Sequence, residues 1–310
     1  MFRSPPLVLF VCYSLRMRVH GATDALLAIV LCMFAGYSLA LAQATQKSPA
    51  AYDDLPTLTS RLLKSADAAD CHKSNCQLLI ANFSLPNGFG SFYGRQLADD
   101  FAHELQTAEP SIVVIDRTLL YAYLETERIP SRDSSDRLWR AIAADLHATS
   151  VLIGTTTRLD DDTVEISARM LSVADKNHIA RNAEVKLNAP KDSVDLTPSE
   201  PFAPLPPLTQ TANGDPVYQA GQHGVSLPAC SYMPGPPSPE NARKFGISAG
   251  LKAEAIVTAE GKLVNLRILW GLPAGLNKST LDTLKTWRCK PALKDGKPVA
   301  VATTFELNFR

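Results

Sequence analysis

The chain has 310 residues, balances 31 Lys and Arg against 31 Asp and Glu, and is 45% hydrophobic. That length accommodates two modest domains, the apolar content is that of a globular protein, and zero net charge removes any global case for nucleic acid. The charge is uneven: residues 52–200 hold fifteen basic and twenty-three acidic side chains, and residues 240–310 hold twelve and six. An acidic middle region and a basic tail can dock on one another or steer different partners.

Residues 1–44 read as a signal peptide or membrane anchor. Ala25–Ala42 is an uncharged apolar run behind Arg16, Arg18 and Asp24, and it ends in the small-x-small patterns Ala40-Leu41-Ala42 and Ala42-Gln43-Ala44. The expectation is export to the periplasm, with anchoring in the inner membrane if the run stays uncut. Translation from Met17 would also leave the signal intact. Cys32 lacks the small residue expected before a lipidated cysteine.

Residues 45–76 form a polar lead-in, with one short amphipathic helix around Leu55, Leu58, Leu62 and Leu63. Residues 77–188 read as strand, helix, strand, helix, helix and three strands. The segments are Gln77–Phe83, Ser91–Gln106, Ile112–Ile115, Leu119–Glu127 capped by Asp116, a helix started by Ser134 or Ser135, Val151–Thr157, Val164–Ser172 and Ile179–Leu187. This predicts an α/β sandwich with helices against one mixed sheet. Residues 189–222 read as a linker. Eleven of the twenty-two prolines fall between Pro198 and Pro239, which predicts an extended, semi-rigid spacer.

Residues 223–310 read as helix, hairpin, helix, strand. Pro239 suits the start of a helix and Gly246 its end. Glu260-Gly261-Lys262 separates two apolar-rich runs, as a hairpin turn does. Val264, Leu266, Ile268 and Trp270 fall on one face of the second run. Leu281, Leu284 and Trp287 recur at helical spacing, and Pro291 ends that helix. Val301, Thr303, Phe305, Leu307 and Phe309 alternate with Ala302, Thr304, Glu306 and Asn308, the pattern of a half-buried strand. The fold class is therefore α+β: an α/β sandwich, a Pro-rich linker and a small helix-hairpin-helix-strand domain.

Beyond the signal four cysteines remain, Cys71, Cys76, Cys230 and Cys289, an even number that fits an oxidising compartment. Of three pairings, 71–76 with 230–289 joins the nearest pair and ties the entry of the last domain to its second helix. Cys71, His72 and Cys76 lack a nearby fourth ligand for a metal. Asp99, Asp100, His103 and Glu104 are the best catalytic constellation, since Asp99 and His103 are helical neighbours. Leu97, Phe101 and Leu105 on the opposite face make that cluster a solvated helix surface instead. Asp160-Asp161-Asp162 lacks the glycine and distal glutamate of a calcium loop and reads as a hairpin tip. Neither Ser172 nor Ser226 has a paired base, and no phosphate-cradling loop occurs. No cofactor, metal or small-molecule substrate is expected, and the chain reads as a binding protein and not an enzyme.

Most of residues 224–310 resembles the C-terminal domain of TonB-family energy transducers. The resemblance rests on Pro239 with Ala242-Arg243, the Gly261 turn, Leu281 to Trp287-Arg288, Lys290-Pro291-Ala292, and Asp295-Gly296-Lys297-Pro298-Val299 before a last strand. It implies that this strand, Ala300, Val301, Ala302, Thr303, Thr304, Phe305, Glu306, Leu307, Asn308 and Phe309, offers a free edge to an extended peptide of an outer-membrane receptor. Affinity in such strand addition comes from main-chain hydrogen bonds. The chain departs from the family in one respect: His20 precedes the apolar run and no histidine lies within it, which puts proton-driven coupling in doubt. Residues 77–187 resemble the periplasmic α/β domain of the TolB N-terminal, curli-secretion and flagellar-assembly group. The residues concerned are Leu78–Phe83, Gly94–Asp100, Ile112–Leu119 and Ala143–Thr155. That implies an envelope scaffold without chemistry of its own, the alternative to a transducer.

Overall fold

The computed structural model describes residues 55–65, 76–130, 135–174, 179–199 and 202–310. The expected signal segment, Cys71 and His72 lie outside these residues. Cys76 is disulfide-bonded.

The first half is built on one five-stranded sheet. Its strands are β1 (Gln77–Ile80), β3 (Val113–Val114), β4 (Ser150–Arg158), β5 (Thr163–Ser172) and β6 (Ile179–Asn188), in the order β3-β1-β4-β5-β6. β1 runs parallel to β3 and β4, while β4, β5 and β6 are antiparallel, so the sheet is mixed as expected. Helices cover both faces. Leu78, Ile80, Leu152 and Ile166 pack with α1 (Leu55–Ser65) and α2 (Phe92–Ala108). Leu79, Val151 and Ile153 pack with α3 (Arg117–Thr126) and α4 (Asp136–Asp145). Strands covered on both faces lose their polar alternation, which is why Leu78, Leu79 and Ile80 are all buried.

Local chemistry fixes the helix starts. The Ser91 side chain accepts from the Gly94 amide, Asp116 accepts from the Thr118 amide, and Ser135 accepts from the Leu138 amide. Gly94 is required by packing: a Cβ there would lie 1.9 Å from the Phe83 carbonyl oxygen. Gly154 makes room in the same way for the Phe83 ring.

The second half contains α5 (Glu240–Phe245), the hairpin of β10 (Gly250–Val257) and β11 (Leu263–Trp270), α6 (Leu276–Leu284) and the long β14 (Lys297–Asn308). The predicted order is present. Pro239 is the N-cap of α5 and Gly246 its left-handed C-cap, with φ of 63°. Three short strands go beyond the expected set: β9 (Ala229–Tyr232) pairs with β12 (Arg288–Lys290), and β13 (Ala292–Lys294) forms a hairpin with β14.

Two expectations change here. The second helix ends at Leu284, well short of the proline expected to stop it. Cys289 is bonded to Cys230 and its amide donates to the Gly261 carbonyl, which draws residues 288–290 into β12, and Pro291 separates β12 from β13. In β11 the one-face pattern is interrupted, because Asn265 and Leu266 together oppose Ala255, and Asn265 has φ of 51°. This bulge leaves Leu263 and Ile268 as the buried residues.

Residues 189–222 do not form an outstretched spacer. β7 (Pro198–Ser199) pairs with β2 (Gly90–Ser91), the Phe202 ring stacks on Arg128, and β8 (Val217–Gln219) pairs with β14. The prolines stiffen the path, but the chain is folded back onto both halves. The halves also share one apolar core, in which Ile129, Leu138 and Ile142 join Phe245, Ile247, Leu272 and Leu276. At this junction Gly271 donates to the Arg128 carbonyl at 2.7 Å, and a Cβ on Gly271 would stand 2.0 Å from the Glu127 carbonyl oxygen.

Candidate functional site: the open edge of the last strand

β14 pairs with β10 over eight successive residue pairs, from Val301 with Val257 to Asn308 with Gly250, without a register shift. Hydrogen-bonding direction alternates along a strand. The Phe309 amide donates to the Ala249 carbonyl, so odd-numbered residues direct their main-chain groups toward β10. The N–H and C=O groups of Thr304, Glu306 and Asn308 therefore face the opposite side. Among the described residues no strand pairs with β14 there from Thr303 onward.

The expected edge begins at Ala300, but its head is occupied. β8 runs parallel to it, with Val217, Tyr218 and Gln219 opposite Ala300, Val301 and Ala302. The Val217 amide is spent on the Thr209 carbonyl, so it is the main chain of Tyr218 that turns to β14. Sequence reasoning passes over β8, though a signal is present: Asn213-Gly214, a strong hairpin dipeptide, stands just before the β-favouring pair Val217-Tyr218.

The side chains of β14 divide by face. Val301 and Leu307, with Phe309 just beyond the strand, are buried, while Thr304, Glu306 and Asn308 are exposed; Ala302, under β8, is buried as well. Phe305 meets the Trp287 ring edge-on, with centroids 5.3 Å apart, a contact contributing about 0.5–1.5 kcal/mol beyond simple burial. Trp287 is 8% exposed and its Nε1 donates to the Pro234 carbonyl at 3.0 Å. On the other face Lys252 lies 3.7 Å from Glu306, and Arg267 pairs with Glu254.

The remaining motif residues support this frame. Gly261 has φ of 77°, and a Cβ there would meet the Cys289 carbonyl oxygen at 1.8 Å, so only glycine fits the turn. The Cys230–Cys289 disulfide joins β9 to β12 across 59 residues. β11, the other edge of the same sheet, carries the Asn265 bulge, a feature that discourages strand pairing.

The candidate catalytic cluster is drawn elsewhere. Asp99 pairs with Arg117, and the Tyr121 hydroxyl donates to Asp99 Oδ1 at 3.0 Å. Arg117 is 7% exposed and also donates to the Ile80 carbonyl and to Asn82 Oδ1. Asp99 thus balances a buried cation that ties α2 and α3 to β1, while His103 is exposed. Asp160–Asp162 forms the tip between β4 and β5, where hydrogen bonds from the Asp162 amide and from the Thr163 side chain and amide hold the Asp160 carboxyl below the usual carboxylate range. Among the described residues no three His, Cys, Asp or Glu side chains converge as metal ligands, and no helix is long and apolar enough to cross a membrane.

Comparison with known proteins finds matches to two separate stretches of the chain. No curated protein matches it. Among solved structures, the LpoB C-terminal domain from Salmonella enterica is 14% identical, with a TM-score of 0.35 and coverage of 43% of this chain and 95% of that one. The TonB C-terminal domain of Pseudomonas aeruginosa is 22% identical, with a TM-score of 0.24 and coverage of 30% and 91%. Residues 56–189 match the family model described as FlgO protein, and residues 234–310 match the one described as Gram-negative bacterial TonB protein C-terminal.

Proposed function

We propose that this chain is an exported, periplasm-facing binding protein whose last strand takes up an extended segment of an outer-membrane partner by β-strand addition. The observation that carries the reading is the row of main-chain groups at Thr304, Glu306 and Asn308, turned away from β10 and unpaired among the described residues. β8 supports it, because this edge already accepts a strand at Ala300–Ala302. The match of residues 234–310 to the TonB C-terminal family agrees. In this reading residues 1–44 direct export, 77–188 and 223–310 are the two working domains, and 189–222 connects them.

The test is titration of the full chain with N-terminal peptides of outer-membrane receptors. Wild type binds, and Thr304→Pro, which deletes one outward N–H, does not. Equal binding by that variant would refute the edge. A second reading, an envelope scaffold, is favoured by the core that both halves share. It expects the full chain to self-associate in sedimentation and to ignore such peptides.

A further inference from the structure

We propose that β8 is a strap made from the chain's own linker, which occupies the head of the open β14 edge and lifts away before a guest can use all of it. This deepens the strand-addition reading and rests on it.

The strap is built to leave without unfolding its surroundings. Its ladder is three residues long and parallel, a pairing slightly weaker per residue than the antiparallel kind. None of Val217, Tyr218 and Gln219 is buried. Upstream, a small hairpin closes on itself: Thr211 and Asp215 exchange main-chain and side-chain bonds around Asn213-Gly214, and Val217 donates back to Thr209. Downstream, the chain is fastened independently of β8. Val225 is buried and bridges to Lys294, while Ser226 and Leu293 exchange two hydrogen bonds. Between ladder and fastening lie Gly221, His223 and Gly224, all at positive φ. Residues 209–219 can therefore swing as one piece once the turn bond from the Gln222 amide to the Gln219 carbonyl opens, while Val225–Ser226 holds. Besides the ladder, the strap is held by Tyr218 and Ala220, which pack against the shared core, and by the Lys294 ammonium 4.2 Å above the Tyr218 ring.

The position of the strap gives it a role. β14 presents Ala300 and Ala302 to β8, and Thr304, Glu306 and Asn308 to no described strand. A guest short enough to pair only from Thr303 onward meets no competition. A longer guest must exchange its own rungs for those of β8, so the strap sets a minimum quality for partners.

The experiment uses the full chain with Tyr218→Pro, which removes the Tyr218 N–H directed at β14. The probe is a synthetic peptide copying residues 209–222, followed through the Ala302 amide by NMR titration. The variant is expected to bind it at least about tenfold more tightly than wild type, the effect of one to two net hydrogen bonds. Tyr218→Ala, which keeps the N–H and loses only the ring, should fall between. Equal binding to wild type and Tyr218→Pro, or no binding to either, overturns the proposal. Receptor peptides tested on the same samples separate the two ideas: if they bind neither protein while the strap peptide prefers the variant, the strap stands and the outer-membrane partner does not.

Discussion

Asn277, in the first turn of α6, donates from its side-chain amide to the Glu127 main-chain carbonyl at 2.7 Å, while its own Oδ1 accepts from the Leu272 amide at 2.9 Å. One buried side chain, 5% exposed, thus closes a turn in the second half and ties it to the end of α3 in the first. Asn277→Ala leaves the Leu272 amide and the Glu127 carbonyl without these partners. Each such loss costs about 1–3 kcal/mol, so the urea midpoint should fall clearly. A midpoint unchanged within error would show that the junction does not depend on this residue.

Gly271 tests the same junction by size alone. An added methyl would stand 2.0 Å from the Glu127 carbonyl oxygen, and that oxygen belongs to backbone that cannot swing aside. Gly271→Ala should therefore destabilise the chain by more than ~1 kcal/mol, the usual cost of glycine-to-alanine strain or more. Limited proteolysis should then cut between residues 189 and 240, where wild type resists.

Removal of the Cys230–Cys289 bond, by changing both cysteines to serine, frees a loop of 59 residues. A loss of roughly 2–4 kcal/mol is expected, read as a lower thermal midpoint. Because the bond holds β9 near the Pro234 carbonyl that Trp287 donates to, Trp287 fluorescence should report the change locally.

Alkali offers a reading of buried hydroxyls. Burial, first, and the hydrogen bond to Asp145, second, push the Tyr123 hydroxyl far above its ordinary value, and burial raises Tyr93 to about 12. A raised folded value means the neutral form is favoured in the native state. The stability it contributes is complete below the unfolded value near ~10 and declines as pH rises past it. Urea midpoints measured upward from pH ~9 should fall above ~10, and less steeply in Tyr123→Phe. Identical slopes in the two proteins would exclude Tyr123 as a source.

The elements that announce themselves in the sequence are those with local causes. Ser91, Asp116 and Ser135 cap helices where their side chains suggest it, and Gly246 ends α5 in the left-handed conformation that favours glycine. From Thr303 onward the alternation likewise gives the more buried and the exposed faces of β14, whereas Ala300, Val301 and Ala302 at its head are all buried. What stays hidden depends on distant partners. Nothing near Asn277 or Gly271 points to residues 127 and 128. Pro291 looks like a helix stop, but the helix ends at Leu284 and Cys289, bonded to Cys230, already lies in β12. A three-residue strand such as β8 has too few positions to show a period, and Asn213-Gly214 marks a turn without naming its partner, so the pairing of β8 with Ala300–Ala302 cannot be read from the sequence.

The uninterrupted register between β14 and β10 also decides how the molecule bears load. A captured segment pulled along the strand axis would strain all eight pairs from Val301 to Asn308 together, as in shear, and not one after another as in a zipper. The load would pass from β14 through β10 into the core that both halves share, and not stay in the tail alone.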